Sequence, residues 1–134
     1  MQIVPWHVGI SVSDLTVSVP WYESVLGFRE VRRSRADALE AQLCFLARGD
    51  FELELFQYDE PKVLPDDRRH PNTDLQTIGT KHLAFRVSNL TEMLGRLEEL
   101  GVDIALRTSM RGKQVCFIRD PDGVLIELIQ SVEN

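Results

Sequence analysis

The chain has 134 residues, with 15 Lys and Arg against 21 Asp and Glu, a formal charge of −6 and 43% hydrophobic residues. That length predicts one compact domain, and that apolar fraction excludes an intrinsically disordered chain. The acid excess, with no long basic run, argues against nucleic acid and against an anionic membrane as partners.

The apolar runs are strand-sized, far short of the ~20 residues of a membrane span. Residues 1–5 lack the basic head and apolar run of a secretory signal, so a cytoplasmic protein is expected. Residues near 3–12 alternate and predict a strand. Asp14 is placed to cap a helix in which Leu15, Val19, Tyr22 and Leu26 recur at helical spacing, with Trp21 and Tyr22 as aromatic packing. Pro20 is read as lying near the first turn, and Gly27 as the left-handed stop with Phe28 packing back. Strands follow near 28–34, 39–47 and 51–58. Residues 59–79 are polar, carry Pro61, Pro65 and Pro71 and show no period, which predicts a long connecting loop with His70 at the surface.

A strand near 81–87 comes next, then Asn89 with Glu92 in capping-box spacing and the stripe Leu90, Leu94, Leu97, Leu100. Strands near 102–108, 113–119 and 124–131 complete the chain, the last two joined by the turn Asp120-Pro121-Asp122-Gly123. Cys44 and Cys116 are too few for a disulfide scaffold and lack zinc-ribbon spacing. They are expected to be free thiols buried as small hydrophobes.

The two halves repeat each other. His7-Val8-Gly9-Ile10-Ser11-Val12-Ser13-Asp14-Leu15-Thr16 aligns with His82-Leu83-Ala84-Phe85-Arg86-Val87-Ser88-Asn89-Leu90-Thr91 at an offset of 75. Gln42–Leu46 aligns with Gln114–Ile118, and Leu53-Glu54-Leu55 with Ile126-Glu127-Leu128, at offsets of 72 and 73. The expected architecture is therefore α+β: tandem βαβββ modules at 1–58 and 80–134, joined by the loop 59–79 within a single domain. Modules this small are marginal alone and should share buried surface, forming a curved mixed sheet.

Strand alternation places the polar residues. Val8, Ile10 and Val12 share one face, while His7, Gly9 and Ser11 share the other. Leu53 and Leu55 oppose Glu52 and Glu54. In the second copy His82, Ala84 and Arg86 lie on the face away from the helix, with Glu127 likewise. A lone histidine at a strand start is more often a hydrogen-bonded structural residue. Here, however, two of only three histidines occupy equivalent repeat positions, each matched by an equivalent glutamate. Buried carboxylates are costly unless paired or metal-bound. His7, Glu54, His82 and Glu127 together suit one divalent ion such as zinc, nickel, cobalt, manganese or iron, with positions left for water or substrate.

These residues resemble the vicinal oxygen chelate superfamily of glyoxalase I, methylmalonyl-CoA epimerase, extradiol dioxygenases, and the fosfomycin and bleomycin resistance proteins. The resemblance rests on His7-Val8-Gly9-Ile10-x-Val12-x-Asp14-Leu15, Trp21-Tyr22 with Leu26-Gly27-Phe28, Glu54-Leu55-Phe56, Gly79-x-x-His82-Leu83-Ala84-Phe85, and Asp120-Pro121-Asp122-Gly123 with Ile126-Glu127-Leu128. By its ligand set the chain is most similar to short bacterial glyoxalase I. The resemblance implies a metal-dependent lyase or isomerase that chelates vicinal oxygens of a small-molecule substrate and moves a proton through an enolate-type intermediate. It further implies Glu127 as first choice for general base with Glu54 as second, and a homodimer in which modules of different chains build each cavity. An epimerase-like isomerase, an extradiol-type dioxygenase and a non-catalytic binding or resistance protein are the alternatives.

One position departs from the glyoxalase pattern. Where that enzyme has an arginine four residues after the first histidine, this chain has Ser11. Its repeat counterpart is Arg86, which is expected to bind an anionic part of a different substrate or to pair with a carboxylate such as Glu52. Glu52, sharing the face of Glu54, is a further candidate for substrate contact.

Overall fold

The two long helices start where the sequence places a cap. In the computed structural model, which describes residues 1–131, α1 spans Leu15–Leu26. The Asp14 carboxylate accepts from the Thr16 hydroxyl at 2.7 Å and from the Thr16 N–H at 2.8 Å, and these two bonds hold its carboxyl below the usual carboxylate range. The helix ends at Gly27 (φ 71°), whose N–H reaches the Glu23 carbonyl while Phe28 N–H reaches that of Tyr22. Arg48 donates to the Leu26 and Gly27 carbonyls at 3.0 and 3.2 Å, and a Cβ at Gly27 would collide with that guanidinium.

The buried face of α1 is Leu15, Ser18, Val19, Tyr22 and Val25. Val25 rather than the expected Leu26 closes it, and Leu26, the last helical residue, is half-buried. Pro20 is the sixth helical residue, one turn deeper than expected. The partner its missing N–H would have had lies on exposed Thr16, where water can serve.

A connector precedes the second major helix. Read from sequence as featureless, 59–79 contains a 3-10 turn at Asp66–Arg69 and α2 at Pro71–Gln76. Its order comes from charge. Asp74 is buried, with Arg68 Nε 3.1 Å and Lys81 Nζ 3.3 Å from Oδ1, and Lys81 also donates to the Asp74 carbonyl. His70 stands at the α2 N-terminus, accepting from Asp74 N–H through its carbonyl, with ring Nδ1 3.3 Å from Arg119 Nη2. Arg69 donates to the Asp122 carbonyl and receives Arg119 Nε on its own, tying the connector to the turn at 120–123.

Helix α3 spans Leu90–Glu99. The Asn89 side chain accepts from Glu92 N–H at 3.0 Å and donates back to the Glu92 carboxylate at 3.3 Å. Leu90 and Leu97 are its buried residues; Leu100, expected in the stripe, lies just past the helix and is exposed.

The strands form two four-stranded mixed sheets, one per βαβββ module. The first comprises β1 (His7–Ser11), β2 (Arg29–Ala36), β3 (Ala41–Arg48) and β4 (Phe51–Tyr58), in the order β1-β4-β3-β2 with β1 parallel to β4. The second comprises β5 (Leu83–Val87), β6 (Ile104–Met110), β7 (Lys113–Arg119) and β8 (Leu125–Gln130), in the order β5-β8-β7-β6 with β5 parallel to β8. The chain divides into compact units at 1–63 and 64–134. In the first, Ile10, Val12, Cys44, Leu46, Leu53 and Leu55 are buried along with the α1 face; in the second, Cys116, Ile118, Ile126 and Leu128 are buried along with Leu90 and Leu97.

β1 begins at His7 rather than near residue 3, because pairing starts only where β4 offers a partner, at His7 opposite Glu52. β2 is an edge strand, exposed at seven of its eight positions and carrying Arg29, Arg32, Arg33 and Arg35. Among the described residues no helix is long and apolar enough to cross a membrane.

A second pair of caps lay unread in the sequence. Gln57 Oε1 accepts from Leu15 N–H at 2.6 Å, and Gln130 Oε1 accepts from Leu90 N–H at 2.8 Å. Each glutamine lies three residues after the repeat glutamate and ties a helix N-terminus to the last strand of its own module. Replacing either by leucine strands a backbone donor on a buried residue, at a cost of about 1–3 kcal/mol. Urea denaturation should show a lowered midpoint for Gln57→Leu and Gln130→Leu; unchanged midpoints would remove the caps from the account of stability.

Candidate functional site

The parallel pairing positions the polar residues. In the first module Gly9 lies opposite Glu54; in the second, Ala84 lies opposite Glu127. Each glutamate is therefore diagonal to a histidine two residues earlier, His7 opening β1 and His82 standing just before β5. His7 Nε2 lies 3.0 Å from Glu54 Oε2, and His82 Nε2 lies 2.9 Å from Glu127 Oε2. A phenylalanine opposite each glutamate completes the motif. Phe45 meets the His7 ring edge-on at 5.2 Å, and Phe117 meets the His82 ring edge-on at 5.0 Å.

All four polar side chains are largely but not fully buried, between 13% and 24% exposed. That leaves room for a ligand while weakening the competition from water. Among the described residues no third histidine, cysteine, aspartate or glutamate joins either pair. Each pair is thus two donors.

The donor chemistry fits a divalent transition ion. An imidazole nitrogen and a carboxylate oxygen each bind such ions at about 2.0–2.2 Å, so two cis donors at a right angle stand about 3 Å apart. The observed separations of 3.0 and 2.9 Å are those of a direct His–Glu hydrogen bond, and an ion that replaced that bond would leave the donors about as far apart. His7 Nδ1 is buried without a hydrogen-bond partner. Its ring is held by aromatic edges instead, with Trp6 at 4.3 Å and 83° and Phe45 at 86°.

Glu52 accepts from Trp6 Nε1 at 2.7 Å and lies 3.6 Å from Arg32 Nη2. Its partners within the first unit are therefore Trp6 and Arg32. Arg86 is exposed on β5 and has no carboxylate partner among the described residues. Ser11 is exposed at the end of β1. A Cβ at Gly9 would stand 3.1 Å from Phe56 Cε2, so the bare glycine lets that ring lie beside the histidine face.

Trp6 was missed in the sequence. It has no repeat counterpart, since Lys81 stands at that position, and its only signal was adjacency to His7. The cysteines are buried, and Cys44 is more than a small hydrophobe. Its thiol donates to Glu30 Oε1 at 3.2 Å, and burial together with that carboxylate pushes it up to about 12. Burial also raises the Cys116 thiol.

Residues 6–128 match the family model of the Glyoxalase/Bleomycin resistance protein/Dioxygenase superfamily. The chain is 30% identical to a lactoylglutathione lyase of Pseudomonas aeruginosa, over 96% of this chain and 82% of that one. It is equally 30% identical to the uncharacterized protein YaeR of Escherichia coli, over 92% of this chain and 93% of that one. Among solved structures, a trypanothione-dependent glyoxalase I of Leishmania major superposes with a TM-score of 0.76 at 25% identity, covering 96% of this chain and 87% of that one. The chain belongs to the Glyoxalase/Bleomycin resistance protein/Dioxygenase superfamily.

The buried, raised thiols predict chemical inertness. Iodoacetamide at pH 8 should leave Cys44 and Cys116 unmodified in the native protein and label both in denaturant. Native labelling at the denatured rate would contradict their burial.

Proposed function

We propose that this protein is a metal-dependent lyase or isomerase of the glyoxalase I type, acting on a small molecule with vicinal oxygens. The observation that carries the reading is the duplicated diagonal: the same His–Glu pair, with donors 2.9–3.0 Å apart, at equivalent strand positions of both modules. His7, Glu54, His82 and Glu127 are the proposed ligands of one divalent ion, among zinc, nickel, cobalt, manganese and iron. A pair alone offers half of a four-donor set, and a homodimer is proposed as the assembly that completes each site. The lactoylglutathione lyase relatives support the reading.

When bound, the ion supplies Lewis acidity toward the substrate's carbonyl oxygens, which lowers the cost of removing a proton from the adjacent carbon. The protein's own residues do the rest. Glu127 takes the proton at its carboxylate and returns it to the neighbouring carbon, with Glu54 as the second candidate for that task. Phe45 and Phe117 shield the pairs from water. Arg86, unpaired on β5, is placed to hold an anionic group of the substrate. Ser11, where glyoxalase I carries a glutathione-binding arginine, points away from glutathione as the substrate's carrier. Ser11 and Glu52 border the substrate on the first module.

Glu127→Gln should retain bound metal and lose turnover by at least ~100-fold on methylglyoxal–thiol adducts or acyl-CoA thioesters. Full activity in that variant would remove Glu127 as the base. His7→Ala and His82→Ala should each lower metal content by elemental analysis, and unchanged stoichiometry would refute ligation. Light scattering should report a dimer mass; a monomer that retains full metal content would overturn the proposed assembly.

A further inference from the structure

The two modules repeat the His–Glu–Phe motif but not its surroundings. Beside Phe45 on the edge strand stands Arg32; beside Phe117 stands Leu106. Two residues before the glutamates stand Glu52 and Leu125, and two residues after them Phe56 and Ile129. Trp6 precedes His7 where Lys81 precedes His82. The second module thus flanks its pair with the aliphatic Leu106, Leu125 and Ile129, its Lys81 being engaged by Asp74, and the first flanks its pair with aromatic rings and charge.

We infer that the first module carries a recognition subsite for an aromatic carboxylate, with Trp6 as its stacking face and Arg32 as its anion anchor. The inference rests on the proposed reading of the His–Glu pairs as the reaction site.

Trp6 is 60% exposed, yet it is held on three sides. Its Nε1–H donates to Glu52, its edge meets the His7 ring, and its plane lies within 12° of Phe45 at 5.9 Å. An indole fixed in that way presents a flat apolar surface with little rotamer freedom left to lose on binding.

Arg32 is fixed in a similar manner. Its guanidinium carbon lies 3.8 Å from the Phe45 ring centroid, and half of its side chain is exposed. Glu52 Oε2 stands 3.6 Å from Arg32 Nη2 in a long ion pair, which engages one side of the guanidinium and leaves its remaining donors for an incoming carboxylate. Phe45 joins the three parts, since it touches Arg32, Trp6 and His7. A ring on Trp6 with an acid group on Arg32 therefore lies beside the His7–Glu54 pair, where a substrate's reacting oxygens belong. The substrate class this selects is an aryl-substituted hydroxy or oxo acid in place of a flexible peptide thiol adduct.

Ligand-observed NMR titration of the full-length, chelator-treated protein tests the subsite without the metal. Benzoate carries ring and charge, cyclohexanecarboxylate only charge, and benzyl alcohol only a ring. Benzoate is expected to bind about tenfold tighter than either of the others. Arg32→Met should reduce benzoate to the level of benzyl alcohol, and Trp6→Leu to that of cyclohexanecarboxylate, while Arg29→Met on the same strand leaves it unchanged. Equal affinity for benzoate and cyclohexanecarboxylate would overturn the aromatic assignment, and wild-type affinity in Arg32→Met would overturn the anchor. Metal content measured on the same preparations separates the two readings. A protein that takes up its ion without preferring benzoate sinks only the subsite, and one that prefers benzoate without ever holding an ion sinks only the metal reading.

Discussion

A histidine near the start of each module meets a glutamate near its end because the first and last strands of the module are parallel hydrogen-bonded neighbours. Everything at the site hangs on that ladder. The chain leaves the first strand through a helix, builds two antiparallel strands outward, and returns beside its starting point. With a side-chain period of two, a slip of one residue would send Glu54 into the core and Leu53 and Leu55 to solvent. Burial of those leucines, complete in the structure, enforces the position of the glutamate between them. Ile126 and Leu128 do the same for Glu127. The apolar face of the strand thus fixes the register of the polar one.

The glutamine caps extend the same register into the helices. Because Gln57 and Gln130 lie on the strands that carry the glutamates, the N-terminus of α1 or α3 is bound to the element that positions Glu54 or Glu127. Strand and helix in each module are joined by a hydrogen bond as well as by packing. The His7 ring, whose Nδ1 has no partner, depends on aromatic edges instead. The orientation of that imidazole thus rests on ring contacts and on its single bond to Glu54.

Much of this was legible in the residues. The repeat fixed the order of elements, and alternation assigned the faces. Asp14, Asn89 and Gly27 do locally what their side chains or lack of one dictate. The parts that escaped depend on contacts between positions far apart in sequence. Gln57 is an ordinary strand glutamine until β4 lies beside the start of α1. The short helix at 71–76 has no apolar period because Asp74, gripped by Arg68 and Lys81, orders it through charge. Trp6 looked like a terminal aromatic, and its role emerges only through Glu52 and Phe45, both brought to it by the sheet. Sequence periodicity reports which face is apolar, whereas such polar ties have no period to detect.

The charged outer strand has a further consequence. β2 ends its sheet with unpaired backbone groups, so another strand could in principle be added there. Four arginines on that strand would then face a like-charged copy across the new ladder. Growth of the sheet by stacking identical edges is thereby discouraged, even at the high local concentrations met during synthesis.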